Sequence, residues 1–552
     1  MTRYRINEIK TDIDVPMSEL PVLIARKTGI RVEDIAEWEV RRKSIDSRKK
    51  PYIQLVYTVD FVTARRIRTN KVHGLSIYDP EKDREQAPDP GSETLTGRPV
   101  VVGMGPAGLF AGLELARMGY RPLIIERGPA MPGRIEAVEK FRRERVLDPE
   151  ANMLFGEGGA GTFSDGKIGT GIRDGLIRRV LADFRDAGAG DDIMYLAKPH
   201  IGTDVLRTVI VNLRHMIEEL GGEVQFGTRL ESLIVEGGRL AGIRVRRNPQ
   251  DRGGSSDRQE CLGDSRADGA LEIRTNALIL AIGHSARDTF AMIHSTGLDM
   301  EQKPFSIGVR MEHPQALIDA AQYGPENAGK LPPADYKINY RASNGRGVYS
   351  FCMCPGGEVV VCTTKEGELC VNGMSNRNRD SGTANSGILC DVRKEDFGSD
   401  DVLAGVRFQE KYERLAFING GGDFTPPRCT MEEFLGADQA GTEAFGHAGT
   451  ETSGHAQRVL RSLPDFAAEA IREAVPAFAR KIHGYDDPHA VITAVETRSS
   501  SPVRIIRDAH GESNIKGIYP AGEGAGYAGG ITSAACDGIR AAWHIVEKYA
   551  RP

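Results

Sequence analysis

The stretch from Val100 to Glu126 constrains the chain more than any other: Val100-Val-Val-Gly-Met-Gly-Pro-Ala-Gly108, an apolar-periodic run to Met118, then Pro122-Leu-Ile-Ile-Glu126. An apolar run, glycines spaced Gly-x-Gly-x-x-Gly, a helical stretch, a second apolar run and a closing acid predict a β-α-β unit that binds a dinucleotide. Gly103 allows the tight turn from strand to helix, Gly105 lets the backbone approach a pyrophosphate, and Gly108 permits close packing of helix on strand. The helix, expected from about Ala107 to Met118, turns its unpaired amides and positive dipole end toward the phosphates. Glu126 is placed to accept hydrogen bonds from ribose hydroxyls, and it would repel a 2′-phosphate.

One such unit accounts for a fraction of 552 residues, and chains of this length divide into two or three domains. Residues 3–62 read as strand, helix, strand, strand (Tyr4–Ile9, Met17–Thr28, Glu37–Ile45, Tyr52–Phe61), a small ferredoxin-like α+β module. The expected division is 1–78 for this domain, a breaker-rich linker at 79–97, a Rossmann-like dinucleotide domain in two parts at 98–300 and 496–552, and an inserted α+β substrate or cap domain at 301–495. The class is α/β. Two polar stretches, 248–269 and 436–455, read as a hairpin tip and a loop insertion.

Apolar residues at 40% and charged residues at 27% describe a globular chain. A net charge of −5 gives no global attraction to nucleic acid or anionic lipid. Eight cysteines in 552 residues form no disulfide framework, no apolar leader follows the start, and no apolar run approaches the ~20 residues that span a bilayer. Cytoplasmic localisation with no membrane partner is therefore expected. Cysteines and histidines show no zinc spacing, so no metal is expected.

The C-terminal run Gly517-Ile-Tyr-Pro-Ala-Gly-Glu-Gly-Ala-Gly526, with Tyr527-Ala-Gly-Gly-Ile-Thr532 and a helix to about Tyr549, resembles the segment in two-dinucleotide-fold flavoproteins where a strand meets the ribityl chain and a helix N-terminus faces the flavin. The strand Ala277-Leu-Ile-Leu-Ala-Ile-Gly283 resembles their small-residue crossover. More closely, Phe155–Lys167, His200–Asp204, Ile282–Asp288, Phe351–Gly357 and Glu496–Arg504 resemble the bacterial NAD(FAD)-utilising dehydrogenases, a group related to aromatic-hydroxylase-type flavoproteins. The resemblance implies FAD as cofactor and an oxidoreductase. It names no substrate. No second glycine fingerprint follows a strand in the middle region, so NAD(P)H is expected to dock transiently if it is used.

Together these readings predict cofactor contacts from Gly103, Gly105, Pro106, Ala107, Gly108, Glu126 and Arg127. Further contacts are expected from the loop residues Gly158, Gly159, Ala160, Gly161, Ser164 and Asp165, from Gly283, and from Gly522, Glu523, Gly530, Ile531 and Thr532. Lys167 could stabilise an anionic reduced flavin, and His284, with a reference pKa near ~6.5, could transfer protons at neutral pH; these two are the catalytic candidates. His200, Arg310, His313 and Arg498 are candidates for binding an acidic small-molecule substrate. A Cys-x-Cys disulfide is strained, so Cys352 and Cys354 read first as part of a strand lining the cleft. The basic run Arg41–Lys50 reads as a solvated hairpin, with an RNA or acidic-partner surface as the alternative. A flavin-based sensor is a third functional reading.

Overall fold

A computed structural model of the chain describes residues 1–83, 85–248, 270–436 and 452–552. The expected hairpin tip at 248–269 and loop insertion at 436–455 lie, but for their ends, outside these residues.

The fingerprint folds as its spacing requires. Val100–Val102, all buried, leads into the helix Pro106–Arg117, and Leu123–Ile125 pairs parallel beside the first strand. Glu223–Gln225 extends the sheet on one side, and Leu278–Leu280 and Ile518–Pro520 extend it on the other, all in parallel register. Strands this short and apolar are buried on both faces: helices cover Val101, Ile124 and Ile279, while Val100, Leu123 and Leu278 cluster with Leu230, Ile243 and Val245. The helix Pro106–Arg117 is buried along almost its whole length because it lies between this sheet and the helices Thr203–Glu219 and Ile531–Lys548. An antiparallel layer of Thr228–Glu236, Arg239–Arg247 and Ala270–Arg274 stands beside the sheet.

Residues 305–496 build a second sheet of six antiparallel strands in the order Asn339–Arg341, Gly347–Cys354, Thr383–Val392, Phe305–Pro314, Val491–Glu496, Arg428–Thr430. Its core packs against the helix Asp465–Ala479. The chain returns through Glu496–Ser501 to the parallel sheet, so this unit is inserted and hangs over the C-terminal ends of the parallel strands. Open α/β sheets bind ligands at that edge.

The N-terminal unit orders its strands as Ile35–Asp46, Gln54–Thr63, Thr2–Asp12, Leu75–Ile77, antiparallel throughout. Leu20 and Ile24 of the helix Leu20–Thr28 pack on Tyr4, Ile6 and Phe61. A ferredoxin-like βαββαβ unit carries two helices; here the second connection holds only the 3-10 turn Thr69–Lys71. The breaker-rich stretch after it is tied down. The Gly91 and Glu93 amides donate to the Val546 and Lys548 carbonyls at 2.8 and 3.0 Å, and Glu85 pairs with Arg540 at 3.0 Å.

Candidate functional site

One cavity of about 440 Å³ runs between the parallel sheet and the inserted unit. Val102 to Ala107 form its floor, and Glu126, Arg127 and Thr228 to Leu230 close one end. Phe351, Cys352, Asn372 and Arg498 close the other end. Two helix N-termini, at Pro106 and Ile531, meet it.

The glycine turn is built as the fingerprint demands. Gly103 adopts φ +97°, and a Cβ there would sit 2.4 Å from the Ala281 carbonyl oxygen. A Cβ on Gly108 would fall 1.9 Å from the Gly103 oxygen, which is the close helix-to-strand approach. At Gly105 an added Cβ would meet nothing nearer than 3.9 Å, so the protein's own packing leaves this position open toward the cavity. Glu126, 5% exposed, accepts from the amides of Met104 at 2.9 Å, Gly128 at 2.9 Å and Gly156 at 3.0 Å. Arg127 pairs with Glu150 at 2.6 Å and Asp288 at 2.9 Å and stacks over Phe155.

The loop Gly156–Lys167 lies over this turn. Gly159, at φ +64°, would bring a Cβ within 2.7 Å of the Gly105 Cα. The loop is held from below by Arg134, whose buried guanidinium donates to the carbonyls of Asn152, Met153, Glu157 and Gly159 at 2.6 to 3.0 Å. Burial pushes the Arg134 guanidinium below its ordinary range. Sequence reasoning missed Arg134; an arginine in an amphipathic stretch, Met131–Glu144, carries no signal that it points inward.

At the loop's end Asp165 is buried between the Lys167 ammonium, the Ser375 hydroxyl and His200 Nε2 at 3.2 Å. Burial opposes its charge, but Lys167 and His200 outweigh that and hold the carboxyl below the usual carboxylate range. Lys167 also donates to the Met353 carbonyl of the inserted unit. Burial works against its ammonium, and negative charge on the facing Cys354–Cys352 pair and on Asp165 more than compensates and raises its pKa.

His284 and Glu523 face each other, Nδ1 to Oε1, at 3.5 Å. Burial, with Arg498 and Arg287 adding, pushes the His284 imidazole down to about 3, and its Nε2 has no partner. Burial pushes the Glu523 carboxyl up to about 7. Behind them Glu413, fully buried, takes Arg287 at 2.7 Å and Arg498 at 2.8 Å, an ion triad that fixes the Arg498 side chain on the cavity wall.

The cavity thus gathers Gly103, Gly105, Pro106, Ala107, Glu126, Arg127, Gly159, Ala160, Gly161, Ser164, Asp165, Lys167, Gly283, His284, Arg498, Glu523, Gly530 and Ile531 from the sequence-predicted set. Gly108, Gly158, Gly522 and Thr532 stand behind this lining; Thr532 spends its hydroxyl on the Ile168 carbonyl at 2.6 Å. Three substrate-binding candidates are not on the wall. Arg310 is 0% exposed and spends its guanidinium on Glu496, Asn372 and Asn385. His313 Nε2 donates to the Tyr485 carbonyl, 2.7 Å away, and the ring packs on that of Tyr485, while His200 backs Asp165. Phe155, Ser285 and Asn372 line the cavity without having been singled out for it, whereas Phe351 and Cys352 lie on it as the cleft-lining strand reading expects. In the basic run, Arg41 pairs with Glu39 and Asp60, and Arg48 with Asp46, while Arg42 and Lys49 are exposed.

The donor set fits a dinucleotide with a flavin end. Gly283, Gly529 and Gly530 would each present a Cβ to open space on this one cavity, Gly105 one in ordinary contact with the Gly159 Cα alone, and the Ser285 hydroxyl, 94% buried, has no partner. Fold and site define an FAD-binding flavoprotein. Residues 304–499 match the family described as FAD-dependent protein, C-terminal domain-like, and residues 3–62 match one described as a domain of unknown function. The cofactor is FAD. The chain is 42% identical over 553 aligned positions, covering 99% of both chains, to an uncharacterised protein of Clostridium beijerinckii, and it belongs to that protein's family. Among solved structures, a geranylgeranyl bacteriochlorophyll reductase-like protein of Thermoplasma acidophilum aligns over 82% of this chain and 78% of its own at 14% identity, TM-score 0.33. L-proline dehydrogenase from P. horikoshii aligns over 81% and 92% at 11% identity, TM-score 0.32. No helix among the described residues is long and apolar enough to cross a membrane.

Proposed function

We propose that the protein oxidises or reduces a small organic substrate by hydride exchange with FAD, the substrate sitting beneath the inserted unit. The observation that carries this reading is the mixed lining of one cavity: glycines and helix N-termini of the parallel-sheet unit at one end, Phe351, Cys352, Asn372 and Arg498 of the insertion region at the other. FAD, when bound, supplies two-electron chemistry. The chain's residues supply orientation, a dry environment and proton handling.

In this reading Glu523 is the proton-transfer group. A carboxyl pushed up to about 7 exchanges its proton near neutral pH, where general acid–base catalysis is efficient. His284 has its pKa pushed down to about 3, so it stays neutral and serves as a hydrogen-bonding partner to Glu523. This moves the acid–base role from the histidine to the glutamate beside it. Lys167, fixed by Asp165 and Met353, places a positive charge where the cavity reaches the insertion. Arg498, with Glu413 balancing part of its charge, offers its edge to a polar or anionic substrate group.

Anaerobic mixing of the purified protein with a metabolite panel that includes NADH and NADPH tests this. Loss of the oxidised flavin absorption with at least one donor is expected. Colourless protein that takes up no FAD, or bound FAD that no donor reduces, would overturn it.

A further inference from the structure

The strand Gly347–Cys354 carries two thiols into the far end of the cavity, and the proton handling above does not use them. Cys352 is half-buried and on the wall; Cys354 is buried directly behind it. The strand is not straight between them. Cys352 adopts φ +42°, a left-handed backbone rare for a residue with a side chain, and the pairing with Thr383–Val392 skips from Phe351 opposite Gly387 to Cys354 opposite Asn385. A straight strand would hold residues i and i+2 about 6.8 Å apart, at the upper edge of the ~4.4–6.8 Å that a disulfide spans between Cα atoms. A left-handed residue contracts that span. Strained backbone of this kind persists at functional sites when its surroundings fix it.

Here the surroundings do fix it. Arg310 donates to the Cys352 carbonyl at 2.9 Å, Lys167 donates to the Met353 carbonyl, and the Cys354 thiol lies 3.2 Å from the Cys352 oxygen. Two cations therefore converge on one turn of backbone beside a cavity thiol. We propose that Cys352 and Cys354 form a redox-active dithiol that exchanges with small-molecule disulfides entering the FAD cavity. This rests on the oxidoreductase reading and narrows its substrate class to thiols and disulfides.

The two sulfurs are chemically unequal, as such a pair requires. Interaction with Cys354, with Lys167 and Arg310 adding, pulls the Cys352 thiol below its ordinary range, whereas interaction with Cys352 and burial push Cys354 up. The thiolate, not the thiol, is the nucleophile. Cys352 thiolate attacks one sulfur of R–S–S–R, the S–S bond breaks, and one RS⁻ leaves and takes up a proton. Cys354 then gives up its proton, its sulfur attacks the Cys352 sulfur of the mixed disulfide, and the second RS⁻ leaves. The pair has lost two electrons and the Cys354 proton, the Cys352 proton having passed to solvent when its thiolate formed. The incoming disulfide has gained two electrons and, from Cys354 and solvent, two protons. A Cys352–Cys354 disulfide remains for the cofactor's two-electron chemistry to reduce.

The FAD-bound protein, reduced with dithiothreitol and desalted, is treated anaerobically with oxidised glutathione and mapped by peptide mass spectrometry. Release of two glutathione molecules with a Cys352–Cys354 linkage is expected. C354S should stop at a glutathione mixed disulfide on Cys352, and C352S should lose reaction at this turn by at least tenfold. Iodoacetamide should label Cys352 in C354S far faster than it labels the buried Cys390. An unmodified Cys352, or wild-type protein that stops at the mixed disulfide, overturns the proposal. The flavin spectrum, recorded on the same sample, separates the failures: protein without FAD fails the site reading, whereas yellow protein with an inert Cys352 fails only this one.

Discussion

At Gly105 an added Cβ meets nothing nearer than the Gly159 Cα at 3.9 Å, and at Gly108 it meets the Gly103 carbonyl oxygen at 1.9 Å. The two glycines sit in the same motif for different reasons, and a methyl group tells them apart. Gly105→Ala is expected to change folding stability by less than about 0.5 kcal/mol yet weaken FAD binding tenfold or more, because only the cofactor needs that space. Gly108→Ala is expected to cost about 3 kcal/mol or more. Urea titration of the apoprotein and fluorescence titration with FAD separate the two effects. Glu523 gives a pH-dependent test. Its folded-state pKa of about 7 lies above the ordinary 4.5, so between those values the folded chain keeps a proton that the unfolded chain has lost. Stability from this group is therefore intact at low pH and falls by about 3 kcal/mol as pH rises to 7. Glu523→Gln removes that fall: the urea midpoint of the apoprotein should exceed wild type at about pH 8 and match it at about pH 4, and the rate of flavin reduction should lose its ionisation near neutrality.

Among the elements, the loop Gly156–Lys167 depends on a residue of a neighbouring helix. Arg134 donates from Nε, Nη1 and Nη2 to five carbonyls of this loop and the turn before it. Lysine cannot reproduce a planar fork, so Arg134→Lys leaves buried carbonyls without donors and should cost roughly 2–4 kcal/mol, with FAD released at lower urea than in wild type. The sequence could show that the loop was glycine-rich and near the cofactor, because glycine spacing is local information. It could not show what holds the loop, because an arginine that turns inward looks the same in sequence as one that faces water. The same limit explains Arg310 and His313. Their residue types suit an acidic substrate, but neighbours distant in the chain, Glu496 and Tyr485, claim them. Conversely, the Gly103 turn and the Ile531–Lys548 helix were readable because turn chemistry and helical periodicity act over a few residues. Asn372 reaches the cavity only through pairing of strands in the insertion.

In the whole molecule, the parallel sheet, the insertion and the N-terminal unit are joined by contacts that the stretch at 79–97 helps to secure. Breaker-rich composition suggests a loose tether, yet residues 91–93 lie along the last turn of the helix Ile531–Lys548, the helix whose other end meets the cavity. A Cβ on Gly91 would lie 2.3 Å from the Glu547 carbonyl oxygen, and the Ala550 amide returns a bond to the Glu93 carbonyl at 2.8 Å. No side chain fits between strap and helix. The N-terminal unit has further attachments, including the Lys43 amide to the Tyr195 carbonyl at 2.6 Å and Asn327 Nδ2 to the Pro51 carbonyl at 2.9 Å. Gly91→Leu should therefore lift the strap without detaching the unit. Protease susceptibility of exposed, unpaired backbone reports such local opening. Limited proteolysis should cut the variant within 79–97 at least tenfold faster than wild type, with the flavin still bound, because Gly91 is remote from the cavity lining. Loss of FAD together with faster cutting would instead mean that the strap sets the position of the whole helix and, through its N-terminus at Ile531, of the cofactor itself.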